Sequence, residues 1–174
     1  MPLFPADPAD LPAVAGLVNA AYRGETSRRG WTHEADYLDG ERTDAEALRR
    51  DLEAQSAALL LTFRDQPGAD LLGCVWLEPA GHETWYLGLL TVRPDLQDRR
   101  LGRAVLEAAE AAARERGARR IRITVINIRD TLIAWYRRRG YELTGETAPF
   151  PYVETRFGTP RRQDLCFVVL EKTL

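Results

Sequence analysis

The chain is poor in cysteine, histidine and lysine. Its 174 residues include two cysteines, two histidines and, among 24 basic residues, one lysine, Lys172. Cys74 and Cys166 each sit in an apolar run, which reads as two free thiols rather than a disulfide or a nucleophile. No CxxC spacing occurs, and His33 and His82 stand alone. That argues against a zinc site, and no metal is expected. There is no basic segment followed by an apolar one near the N-terminus, and no apolar run long enough to cross a bilayer. A cytoplasmic protein without membrane contact is therefore expected. The formal net charge of −2 argues by itself neither for nor against nucleic acid. With so little lysine, arginine carries the positive charge, and its planar fork suits phosphate and carboxylate partners.

The composition, 45% hydrophobic and 29% charged, is that of one soluble globular domain over 1–174. Pro2–Ala6 reads as a short edge strand. Asp7 and Pro8 are start signals for a helix that buries Leu11, Val14, Leu17 and Val18 and runs to about Tyr22. Arg23–Arg42 is polar but holds Trp31 and Tyr37, so it reads as an ordered loop with a short helix. Thr43-Asp44-Ala45-Glu46 has a capping-box pattern and opens a helix to about Ala54. Ala57–Arg64, Leu71–Glu78 and Glu83–Val92, joined by two tight turns, make an antiparallel meander. A long helix closed by Gly117 follows, then strand Arg120–Asn127, helix Leu132–Arg139 closed by Gly140, strand Tyr141–Thr147, a loop Ala148–Gln163 and strand Asp164–Glu171. The strand–helix–strand from Glu83 to Asn127 implies a right-handed crossover and a parallel pair. The fold class is thus α/β (α+β), a mixed, mostly antiparallel sheet of about seven strands with helices on both faces.

The informative stretch is Leu90–Ala104. A strand reading Leu90-Thr91-Val92 ends at Pro94, a polar turn follows, and an alanine-rich helix begins. The first N–H groups of a helix have no intrahelical partners, and its dipole adds positive potential there. Such an end suits phosphate. Gly102 allows close approach of a ligand to the backbone, and Arg99, Arg100 and Arg103 raise the positive charge. There is no GxGxxG after an early strand, which excludes a dinucleotide fold. Taken alone, the turn reads first as a plain connection with solvated arginines.

Gln97-Asp98-Arg99-Arg100-Leu101-Gly102, behind Leu90-Thr91-Val92 and Pro94, resembles the signature of the GCN5-related N-acetyltransferases, Gln/Arg-x-x-Gly-x-Gly/Ala. Arg100 stands where that signature has its first glycine, and would be strained if the turn needs a positive φ there. Downstream, Tyr136-Arg137-Arg138-Arg139-Gly140-Tyr141 is similar to the family's Tyr-x-x-x-Gly-Tyr segment. The resemblance implies an acyl-CoA N-acyltransferase fold and an enzyme that moves the acetyl group of acetyl-CoA to a primary amine by direct attack. It places the coenzyme against Leu90, Thr91, Val92, Gln97, Asp98, Arg99, Arg100, Leu101, Gly102, Arg103 and Ala104, with Asn127 and Arg129 as further contacts. A backbone N–H near Leu90–Val92 would polarise the thioester carbonyl, and Tyr136 corresponds to the tyrosine that protonates the thiolate. Tyr136 could equally be a core residue beside Trp135.

For the general base, Glu78, Glu83, His82 and a water chain are all open, with Glu78 at the strand end the named candidate. The acceptor side is expected between Arg23–Arg42 and Ala148–Gln163, where Trp31, Glu34, Asp36 and Tyr152 could hold a cationic amine or simply pin the loops. The implied partners are acetyl-CoA and an amine, with no nucleic acid. An exposed sheet edge or the late loop offers a surface for a homodimer. A catalytically silent acyl-CoA-binding regulator and a ligand-free interaction module are the competing functions.

Overall fold

The computed structural model describes residues 3–174, except the side chains of Asp98 and Arg99. Pro2, Asp98 and Arg99, as named above, therefore lie wholly or in their side chains outside the described residues. Among the described residues seven strands form one sheet: β1 (Leu3–Pro5), β3 (Leu59–Phe63), β4 (Gly73–Pro79), β5 (Thr84–Val92), β6 (Arg120–Ile126), β7 (Glu142–Pro149) and β9 (Cys166–Thr173). Their order is β1-β3-β4-β5-β6-β9-β7. Every neighbouring pair is antiparallel except β5 and β6, the parallel pair that the crossover helix α4 (Leu101–Arg114) demands. The last strand is inserted between β6 and β7, so the chain returns to the sheet interior at its end.

Alternation along the strands sorts side chains between two cores. Leu61, Phe63, Val75 and Leu77 face α4 and α5 (Asp130–Arg137), whose Val105, Leu106, Ala109 and Tyr136 are buried there. Leu60, Cys74 and Trp76 point the other way, against Leu11, Val14 and Val18 of α1 (Leu11–Tyr22) and Leu48 of α3 (Ala45–Ala54). Fully burying one such Leu or Val side chain contributes about 1.5–3 kcal/mol, so both faces are strongly specified. Between α4 and the sheet, the buried carboxylate of Glu110 accepts from the Tyr141 hydroxyl at 3.0 Å and from Lys172 Nζ at 2.7 Å.

The local signals hold with small displacements. Asp7 caps a 3-10 turn over Pro8–Asp10 that leads into α1. At α3 the cap is Asp44, which accepts from the Ala47 N–H at 2.7 Å. The expected Thr43–Glu46 capping box does not form, because the cap falls one residue later and puts Ala47, not Glu46, at the third helical position. Gly117 and Gly140, both at positive φ, close α4 and α5. The short helix in the polar segment is α2 (Gly24–Ser27). The sequence offered no sign of the two-residue strands β2 (Leu38–Asp39) and β8 (Thr159–Pro160). They pair into a ribbon that ties the polar segment to the late loop.

Candidate active site

The site begins with one extra residue in a strand. Between β4 and β5 the register runs Cys74↔Thr91 and then Trp76↔Gly88, so β5 carries a bulge. Leu89 takes the strained conformation there, with φ of 50°. Its carbonyl accepts from Thr91 Oγ1 at 2.9 Å and from the Cys74 thiol at 3.7 Å. Burial pushes that thiol up to about 12, so it stays protonated and serves as a donor. A bulge bends its strand and adds twist. Accordingly β5 pairs with β6 only over Thr84–Tyr86, and beyond Tyr86 the two parallel strands part.

The wedge between them is the floor of a cavity of about 310 Å³, with Leu87–Leu90 on one side and Ile123–Ile126 on the other. A second, narrower cavity lies alongside, over the start of α4, lined by Gln97, Arg100, Gly102, Arg103, Trp135 and Arg139. Tyr22, Leu90, Arg129, Leu132 and Tyr136 line both, so the cavities meet there.

The narrower cavity has the character of an anion site. Its mouth is the N-terminal end of the 14-residue helix α4. The Arg103 and Ala104 amides already bond to the Arg100 carbonyl, leaving those of Leu101 and Gly102 ahead of the first turn's bonds. A Cβ on Gly102 would meet Trp135 Cζ2 at 3.6 Å and Val92 Cγ2 at 3.9 Å, so the glycine keeps the backbone open toward the cavity. Arg100 is at φ 62° and ψ 11°, the left-handed conformation that the first signature glycine would adopt without strain. Arg139 stacks on Trp135, 3.6 Å from the ring centroid, and its Nε is buried with no hydrogen-bond partner among the described residues.

Tyr136 sits where the cavities join. It packs edge-on against Trp135 and Tyr141, and its hydroxyl makes no hydrogen bond among the described residues. Burial holds the phenol well above its ordinary range. Opposite it, the Tyr22 hydroxyl donates to the Leu90 carbonyl at 2.8 Å.

The wall of the larger cavity is a buried ion cluster. Glu34 accepts from Arg23 Nη1 at 2.7 Å and from Arg129 Nη1 at 2.9 Å. All three side chains are less than 10% exposed. Arg129 also donates to the Thr32 carbonyl, and Arg23 to that of Phe157 at 2.5 Å. Burial pulls the Arg23 guanidinium down. At Arg129 burial is the largest single influence and acts the same way, but the Glu34 carboxylate together with Tyr37, Tyr22 and Tyr136 outweighs it and the net shift is up.

A family model described as the acetyltransferase (GNAT) family matches residues 18–141. The chain belongs to that family. No curated protein matches this acetyltransferase in sequence. Among solved structures, the ribosomal-protein-alanine N-acetyltransferase of Brucella melitensis is 21% identical, with a TM-score of 0.69 and 100% of each chain covered. The ribosomal-protein-S18-alanine N-acetyltransferase of Escherichia coli is 17% identical, with a TM-score of 0.65, covering 98% of this chain and 92% of that one. A GNAT family acetyltransferase of Elizabethkingia anophelis with acetyl-CoA bound is 15% identical, with a TM-score of 0.57, covering 72% of this chain and 83% of that one. At these identities the likeness is one of fold.

The acetyltransferase brings together some of the residues expected from sequence and disperses others. Leu90, Val92, Gln97, Arg100, Gly102, Arg103, Arg129 and Tyr136 all line the narrower cavity. Thr91 is turned into the bulge, Leu101 lines neither cavity, and Ala104 faces the outside of α4. Asn127 bonds with Cys166 N–H and the Asp164 carbonyl, so it joins the end of β6 to the start of β9, and it lines neither cavity.

Trp31 lines the narrower cavity, its ring centroid 6.2 Å from that of Trp135, and does not line the larger one. Gln97 puts it there: its Oε1 accepts from Trp31 N–H and its Nε2 donates to Thr32 Oγ1, each at 3.0 Å. Asp36 is exposed and paired with Arg28, and Tyr152 is locked to the Leu165 backbone. Neither lines a cavity. Glu78 accepts from Trp76 Nε1 at 2.8 Å and is likewise outside both. Glu34 does line the larger cavity, with both its oxygens taken by arginines. Sequence reasoning passed over Tyr22, Arg23 and Arg42. Tyr22 ends an apolar helix and reads as core, and the two arginines lie in a segment of alternating charge.

Proposed function

We propose that the protein moves the acetyl group of acetyl-CoA to a primary amine by direct attack in a ternary complex, with Tyr136 as general acid. The observation that carries this reading is Tyr136 itself, at the junction of both cavities with an uncommitted hydroxyl. The narrower cavity suits a phosphate-bearing coenzyme: Gly102 offers its amide at the start of α4, and Arg100, Arg103 and Arg139 add charge. The edge of β5 that parts from β6 suits the amide-bearing arm, as a strand edge suits a peptide. Acetyl-CoA supplies the acetyl group as a thioester.

Transfer forms one C–N bond, breaks one C–S bond and moves two protons, one off the nitrogen and one onto the sulfur. Tyr136 gives the second. A backbone N–H within Leu90–Val92, re-aimed by the bulge, stabilises the charge that develops on the carbonyl oxygen. For the first proton, no free carboxylate lines either cavity among the described residues. The cationic wall of Arg23, Arg42 and Arg129 instead favours the neutral amine, as nearby positive charge does for any ammonium, and the proton leaves through water.

Replacing Tyr136 with Phe should lower kcat by about 100-fold or more while changing the apparent constant for acetyl-CoA little. Because burial lifts the phenol above its ordinary 10.0, the acid form persists to higher pH, and wild-type kcat should not decline as pH rises to 10. An unaltered rate in Tyr136→Phe at every pH would remove the assigned role.

A further inference from the structure

We propose that the acceptor is a small amine that carries an oxyanion, a carboxylate above all, within a few bonds of its nitrogen. This deepens the acetyl-transfer reading of the same site and rests on it. The larger cavity is walled by Arg23, Arg42 and Arg129 against a single carboxylate, Glu34. Glu34 is shared between Arg23 and Arg129, so that trio retains one positive charge. Arg42 adds a second. It is half-buried, its guanidinium lies 5.1 Å from the Phe157 ring centroid, and it has no carboxylate partner among the described residues. The Nε of Arg23, on the same wall, is buried and has no hydrogen-bond partner among the described residues.

Buried cations and unpaired donors are costly, and an anion satisfies both together. An acceptor with only ammonium groups would find no free carboxylate here and would be repelled. At about 310 Å³ the cavity has the size of a small-molecule site. Leu87, Ile123, Val125, Phe150 and Phe167 complete its lining, which suits an apolar substituent. An oxyanion at the arginines and an amine toward Tyr136 describe an amino-acid-like acceptor.

The test uses matched sets: leucine, methionine and phenylalanine, their α-amides, and the amines left by their decarboxylation. Acetylation is read by thiol release and product mass, with rates compared on free-base concentration. In parallel, the melting temperature is read for each compound in the presence of CoA. The acids should exceed their amides and decarboxylated amines in kcat/KM by at least about tenfold, the worth of a charged hydrogen bond. Only the acids should raise the melting temperature. Arg42→Gln should bring the ratio close to one, chiefly through KM, and Arg42→Lys should restore part of it.

Amides or plain amines used as readily as acids would overturn the proposal and leave acetyl transfer standing. So would a preference unchanged in Arg42→Gln. Acids that stabilise the protein but yield no product would support the anion site and overturn the transfer reading. No stabilisation and no product with any member would overturn both.

Discussion

Arg100 shows a residue held against its own preference. In the turn into α4 the first glycine position of the signature is filled by arginine, which adopts the φ of 62° that a glycine would. A side chain in that conformation costs about 1–2 kcal/mol. Arg100→Gly should therefore raise the unfolding free energy in urea by about 1 kcal/mol. It should at the same time weaken acetyl-CoA, because a guanidinium leaves the cavity. A destabilised variant would show that the arginine side chain anchors the turn.

Residue positions were legible where local pattern decides them: Gly102 falls in the first turn of α4 and Tyr136 on α5. Contacts were illegible where a partner distant in sequence decides. Glu34 looks free until Arg23 and Arg129 are seen on its two oxygens. Trp31 looks like an acceptor contact until Gln97, 66 residues away, fixes its backbone.

At the scale of elements, the long amphipathic pieces were readable because periodicity over many residues outweighs local exceptions. The four helices of eight or more residues and the meander fall close to where pattern put them. The β2–β8 ribbon escaped because each strand is two residues long and the pairing spans more than a hundred residues. The ribbon nevertheless shapes the larger cavity, since Leu38 and Phe157 line it. Its hinge is Gly158, at φ 102° and ψ 174°, a region open only to glycine. A Cβ there would collide with the Asp39 carbonyl oxygen and crowd Arg23. Gly158→Ala should cost about 1–3 kcal/mol of stability in urea and raise KM for the acceptor more than for acetyl-CoA. Equal effects on both constants would mean that the ribbon does not serve the acceptor side.

For the molecule as a whole, the bulge in β5 sets the plan. By parting two parallel strands it opens the larger cavity between them, beside the narrower one over α4. The sequence foretold the sheet and its parallel pair, because the crossover helix enforces them. It did not foretell how far β5 and β6 stay together, since one inserted residue in a ladder leaves no periodic trace. With two cavities joined at Tyr136, both substrates are held together, so initial-velocity lines for acetyl-CoA and acceptor should intersect. Parallel lines would indicate an acyl-enzyme.

The pairing of Lys172 with Glu110 has a chemical consequence of its own. A protein that works among activated thioesters is exposed to stray acylation of its own side-chain amines. This chain has a single lysine, and that ammonium is fixed 2.7 Å from a buried carboxylate. Its arginines, always charged, are poor nucleophiles. The catalyst thus presents almost no side-chain target to its own donor, and should keep its unmodified mass through prolonged incubation with acetyl-CoA.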